Sequence, residues 1–178
     1  MSMFFGDLRQ IGYVVRDIEK AMAHWTRTLG VGPWLYMEDA GVTEFRYQEK
    51  TSVPPVISIA LANSGGMQVE LIQQRDTAPS MYLDSLGPAD SCAQHIAYWT
   101  VDGYDDYIAQ LAANGYIEGH GGSMGNRGRF GYFHHPDLPG SIIEIVEITE
   151  GRGLYFERIH ESSRIWKGHD PIRRTLKR

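Results

Sequence analysis

The chain repeats itself. Gln10-Ile-Gly-Tyr-Val-Val-Arg-Asp17 is echoed eighty-five positions later by His95-Ile-Ala-Tyr-Trp-Thr-Val-Asp102, with Ile, Tyr and Asp in register. Each Asp is followed thirteen residues on by a glycine, Gly30 and Gly115, with a helical pattern between. Two similar segments then close the halves: Val69-Glu70-Leu71-Ile72 and Ile143-Glu144-Ile145-Val146, each with one carboxylate inside an apolar strand. Such a chain must fold so that two copies of one small unit share a core.

The pattern within each copy is β-α-β-β-β. Gln10–Val15 alternates, with Ile11, Tyr13 and Val15 on a face suited to a helix, and Gln10, Gly12 and Val14 facing whatever the sheet encloses. Asp17 is a helix N-cap, Met22, Trp25 and Leu29 form the apolar stripe, and Gly30 stops the helix. Strands are expected at 42–48, 56–62 and 68–73. The second copy reads as a strand at 95–101, a helix at 102–114, and strands at 116–120, 129–134 and 142–148. A flexible glycine-rich loop over 121–128 is expected to lie over a pocket. It lacks the Gly-Lys-Ser/Thr ending of a P-loop. The expected architecture is α+β: two tandem βαβββ modules, 8–75 and 93–149, forming one curved sheet around a central cavity. Residues 76–92 link them, with a helical turn around Met81–Leu86, and 150–178 form a C-terminal extension.

Charge separates that extension from the body. Residues 151–178 carry eight basic side chains against three acidic ones, a net +5, which leaves −10 for the rest of a chain whose total is −5. A basic tail on an acidic body packs against that body or a partner subunit, and the pattern is too short to favour nucleic acid. The single cysteine, Cys92, excludes an intramolecular disulfide and a multi-cysteine metal site. No basic leader or long apolar run is present, so a cytoplasmic protein with no membrane span is expected.

Glu70 and Glu144 share strand faces with apolar residues, and a carboxylate there is costly unless paired, hydrogen-bonded or bound to metal. A lone histidine, or a lone glutamate in a strand, is ordinarily structural. Repeat-related placement changes the balance. If the halves pack with approximate two-fold symmetry, Gln10, Glu70, His95 and Glu144 converge. One imidazole, two carboxylates and one amide make an oxygen-rich set that suits Mn, Co, Ni, Zn or Mg.

These features resemble the vicinal oxygen chelate superfamily, which includes glyoxalase I, methylmalonyl-CoA epimerase, extradiol dioxygenases, and the fosfomycin- and bleomycin-resistance proteins. The resemblance covers roughly residues 8–149. It is carried by Ile11-Gly-Tyr-Val-Val-Arg-Asp-Ile18, Val69-Glu-Leu-Ile72, His95-Ile-Ala-Tyr98 and His135-Pro-Asp-Leu-Pro-Gly-Ser-Ile-Ile-Glu144. It implies that the metal positions fall on Gln10, Glu70, His95 and Glu144. The chain departs from the pattern at Gln10, where glyoxalase I and the epimerase usually carry histidine, and the two-histidine centre of an extradiol dioxygenase is missing.

What the resemblance implies chemically is a metal-dependent lyase or isomerase/epimerase of the glyoxalase type, which stabilises an enolate or enediolate of a small carbonyl substrate. Glu70 or Glu144 would move the proton. Glu38 and Glu44 lie near a separate base of the epimerases, and Tyr132 matches a substrate-contacting position of the fosfomycin-resistance relatives. Arg127 and Arg129 are candidates to neutralise a carboxylate or CoA phosphate, and His120 and His134 to line the cavity. Trp34, Tyr36, Tyr98 and Trp99 are pocket-wall candidates with core packing as the default. The family also implies a homodimer. The alternative is a metal-free protein that sequesters a ligand, as bleomycin-resistance proteins do.

Overall fold

The computed structural model describes residues 1–174. β1 (Leu8–Val15) leads into α1 (Ile18–Leu29), which is capped as its ends demand. The Asp17 carboxylate accepts from Lys20 N–H at 2.9 Å, and Gly30 closes the helix in the left-handed region. Then come β2 (Trp34–Met37), the hairpin β3 (Glu44–Tyr47) and β4 (Lys50–Thr51), β5 (Ile57–Ser64) and β6 (Met67–Gln74). After α2 (Met81–Leu86), the order resumes with β7 (Ser91–Thr100), α3 (Tyr104–Ala113), β8 (Ile117–Ser123), β9 (Arg129–His135) and β10 (Leu138–Glu147). α4 (Glu150–Ile165) and β11 (Ile172–Arg174) follow.

The eleven strands among the described residues form one curved, unclosed sheet in the order β11-β2-β5-β6-β1-β7-β10-β9-β8-β3-β4. The two repeated stretches, β1 and β7, are antiparallel neighbours at its centre, with Gly12 opposite His95. Each is flanked on its other side by the parallel strand that carries its glutamate: β6 beside β1 and β10 beside β7. Duplication in the sequence thus becomes mirror order about one strand pair.

Two cores sit on one face of the sheet. α1 covers Val69, Leu71, Ala60 and Ala62 with Ile18 and Met22. α3 covers Phe133 and Ile145 with Tyr104 and Leu111. The opposite face buries Ile57, Ile59, Leu61, Ile72, Phe130 and Tyr132 under α2 and α4, through Met81, Tyr82, Leu86 and Ile159. Burying Ile159 alone stabilises the seating of α4 by roughly 1.5–3 kcal/mol. The basic extension therefore forms part of the sheet's second cover, and its last described residues make an edge strand parallel to β2. The tail's last basic residues, Lys177 and Arg178, lie outside the described residues.

Two expectations need correction. The strand expected at 42–48 does not continue the first half's sheet. Glu44–Tyr47 pairs with β8, at the far side, and the place of the first strand after α1 is taken by β2. Trp34, Leu35 and Tyr36 of β2 are all buried, so the segment lacks the alternation that would mark it. The glycine-rich stretch is no flexible loop at its start. Gly121 and Gly122 belong to β8, and a Cβ on Gly122 would come within 2.1 Å of the Glu44 carbonyl oxygen. The glycine is what permits β3 to close on β8.

Candidate metal centre

Gln10, Glu70, His95 and Glu144 sit on four adjacent strands, β6-β1-β7-β10, and all are buried, at 3%, 7%, 3% and 6% exposure. His95 Nε2 lies 3.3 Å from Glu70 Oε2 and 3.3 Å from Glu144 Oε2. The three ligand atoms lie within 4.8 Å of one another. None of them has a hydrogen-bond partner outside this cluster among the described residues. Three converging, buried and unsatisfied donor atoms fit a divalent cation.

The imidazole is oriented by a residue the sequence reading passed over. Gln94 Nε2 donates to the Met81 carbonyl at 3.2 Å and reaches Ser85 Oγ at 3.4 Å, so its Oε1 must be the atom 2.8 Å from His95 Nδ1. His95 Nδ1–H therefore donates, and Nε2 presents its lone pair to the carboxylates. That lone pair is tenable there only with a cation or a proton between. Without metal the proton is favoured. Burial opposes the charged ring, but Glu144 and Glu70 outweigh it and raise His95 to about 9. Burial raises Glu70, and His95 pulls it back only in part.

Strict alternation would turn Gln94 away from His95. Gly12 faces His95 and Tyr13 faces Ala93, so Gln94 is the extra residue of a β-bulge, which brings consecutive side chains together. Gln10 is fixed similarly: its Nε2 donates to Gln68 Oε1 at 2.8 Å, leaving its carbonyl oxygen as the free end.

Gln10, Glu70, Tyr132 and Glu144 line a small inner cavity of about 40 Å³, with Tyr82 and Arg152. Glu70 and Arg152 also line a larger outer cavity of about 470 Å³, walled by Met37, Ile59, Leu61, Arg127, Tyr155 and Phe156. Tyr132 is wedged between the His95 and His120 rings, at 4.8 and 4.4 Å. Burial keeps the Tyr132 and Tyr82 hydroxyls protonated far above their ordinary range.

The other candidates go elsewhere. Glu38 pairs with Arg174 and is exposed, and Glu44 is exposed on β3, so neither reaches the cavities. Arg129 is held by Glu147 at 2.9 Å and Asp105 at 2.8 Å, whereas Arg127 does line the outer cavity. His120 is buried beside Tyr132, and His134 lines a different pocket. Trp34 and Tyr36 pack under α1, Tyr98 stacks with Phe5, and Trp99 stacks on Phe156 of α4.

A sequence model described as the Glyoxalase/Bleomycin resistance protein/Dioxygenase superfamily matches residues 9–133. No curated protein matches the sequence. The fold is similar to that of methylmalonyl-CoA epimerase from Mycobacterium tuberculosis, at TM-score 0.59 and 17% identity, covering 86% of this chain and 96% of that one. It is similar also to a hypothetical protein from Bacillus halodurans, at TM-score 0.59 and 19% identity, covering 81% and 95%. A selenomethionine methylmalonyl-CoA epimerase aligns at TM-score 0.51 and 16% identity, over 84% and 100%. At these identities the likeness is one of fold. No helix among the described residues is long and apolar enough to cross a membrane.

Proposed function

The chain belongs to the glyoxalase/bleomycin resistance protein/dioxygenase superfamily, and from that premise we propose that it is a metal-dependent lyase or isomerase/epimerase acting next to the carbonyl of a small organic substrate. The observation that carries the proposal is the convergence of Glu70 Oε2, His95 Nε2 and Glu144 Oε2, buried and, among the described residues, without hydrogen-bond partners outside the cluster. These atoms would hold Mn, Co, Ni, Zn or Mg, with the Gln10 carbonyl oxygen as a fourth protein ligand. When bound, the cation supplies Lewis acidity that polarises the substrate carbonyl and acidifies the neighbouring C–H.

The protein's own groups divide the remaining work. Glu70 is the residue to take the proton, because it faces both cavities and burial raises its affinity for protons. Glu144 lines the inner cavity and not the outer one, and serves as an anchor. Tyr132, which keeps its own proton, is placed to donate to a substrate oxygen. α2 and α4 exclude water above the site. In this reading the protein works as a cytoplasmic homodimer.

The rival reading, a sequestering protein without metal, draws on Gln10 standing where the resemblance places histidine. Solvent-deuterium incorporation at the carbon beside the carbonyl, followed by NMR on candidate carbonyl compounds with metal-loaded protein, separates the two. Exchange abolished by Glu70→Gln supports the enzyme. Tight binding of ligand with no exchange supports the rival.

A further inference from the structure

α4 lies wholly beyond the matched residues 9–133 and yet delivers a cation to the site. The chain turns directly from β10 into α4, where Thr149 Oγ1 caps the helix by accepting from Arg152 N–H at 3.3 Å. One turn in, the Arg152 side chain folds back over the sheet. It is 8% exposed and lines both cavities, beside Gln10, Glu70, Tyr132 and Glu144.

Its guanidinium is only partly committed. Nη1 donates to the carbonyls of Glu147 at 2.9 Å and Arg129 at 3.2 Å, and Nη2 lies 3.1 Å from Met124 Sδ. Nε and the second Nη2 hydrogen have no partner among the described residues, and no carboxylate pairs with Arg152 there. Glu144 and Glu70 attract the guanidinium through space without a direct ion pair, so its charge balance depends on what occupies the cluster. Arg129 and Arg46, both more exposed, each make a direct ion pair with a carboxylate instead.

The charge of the occupied site points the same way. A divalent cation would cancel Glu70 and Glu144, leaving Arg152 as the buried charge, with Arg127 and Glu150 of opposite sign offsetting each other along the outer cavity. Two backbone carbonyls hold the guanidinium rigidly, as recognition of a planar anion requires. Beyond it the outer cavity is apolar through Met37, Ile59, Leu61, Tyr155 and Phe156, and its volume of about 470 Å³ is typical of small-molecule sites.

Resting on the enzymatic reading above, we propose that Arg152 is the anion-binding residue of the site and that the carbonyl substrate carries a carboxylate and an apolar body. The carboxylate sits on the free edge of Arg152, the carbonyl faces the Glu70–His95–Glu144 cluster, and the body fills the outer cavity.

The test uses metal-loaded full-length protein and two probes, 3-methyl-2-oxopentanoate and its methyl ester, with calorimetry as the readout and metal content measured alongside. Wild type is expected to bind the acid at least about tenfold more tightly than the ester, as loss of a charged partner demands. Arg152→Gln should lose that preference while retaining its metal, and Arg152→Lys should keep part of it. Equal binding of acid and ester by wild type, or failure to bind either, overturns the proposal, as does an unchanged preference in Arg152→Gln. The wild-type comparison needs no variant to fold. Absence of metal from wild type would instead overturn the enzymatic reading, so the two failures are distinguishable.

Discussion

The His95 imidazole lies against the backbone of Gly12, so closely that a Cβ there would come within 1.8 Å of His95 Cε1 and 2.2 Å of Nε2. The two residues face each other across the central strand pair. Gly12→Ala must therefore push the ring out of the carboxylate cluster or pry β1 from β7. Overpacking of this kind costs about 1–3 kcal/mol. Urea denaturation of the metal-free variant should show that loss, and metal titration should show weakened binding. A variant with wild-type stability and metal affinity would mean that His95 is not held where the structure has it.

Gln94 and Gln68 touch the proposed ligands and not the cation. Gln94 fixes the His95 tautomer and Gln68 turns the Gln10 amide. Gln94→Leu and Gln68→Leu should each lower metal affinity by about 10–100-fold. Competition against a chelator of known affinity measures this. The Gln68 variant discriminates further: unchanged affinity there, with a loss at Gln94, would remove Gln10 from the ligand set.

His120 should make the protein acid-sensitive. Its ring is buried among Phe45, Tyr82 and Tyr132, and its Nδ1 accepts from Met81 N–H at 3.2 Å. Burial, with a smaller contribution from His95, pushes its pKa down to about 3 from the ordinary 6.5. The folded state therefore keeps His120 neutral while the unfolded chain takes a proton below pH 6.5. Stability falls as pH drops from 6.5 towards 3, by up to about 1.4 kcal/mol per pH unit from this group. His120→Asn, which keeps an acceptor for Met81, should flatten the dependence of unfolding free energy on pH between 6.5 and 4.5. An identical slope in the two proteins would contradict it.

Gly122 should govern the β3–β4 hairpin. With a Cβ meeting the Glu44 carbonyl at 2.1 Å, Gly122→Ala should detach β3 from β8. The amides of Thr43 and Gln48, which donate to Ser123 and Gly119, should then exchange with deuterium about tenfold faster or more. Unchanged protection would show that the strands tolerate the added methyl.

What the sequence revealed and concealed follows from the physics of each residue. Gln10, Glu70, His95 and Glu144 were legible because duplication repeats a strand with its chemistry, and β1 beside β7 brings the copies together. The end capping of α1 and the helical turn at Met81–Leu86 were local matters and equally plain. β2 was hidden because both its faces are buried, so its pattern carries no period. Gln94 was hidden by a bulge, which breaks alternation at the one place where it matters. Arg152 was hidden because α4 has a weak apolar stripe, and only its seating over the sheet reveals a buried cation within a basic tail. The glycines at 121 and 122 suggested a mobile loop, whereas close strand approach is what they serve.

If Glu70, His95 and Glu144 hold a divalent cation, metal content by mass spectrometry on untagged protein titrated with Mn, Co, Ni, Zn and Mg will register it. Near one equivalent of metal per chain is expected in wild type, lost in both Glu70→Ala and His95→Ala while each variant remains folded. Wild-type protein that takes up none of the five ions, or variants that bind as wild type does, would contradict it.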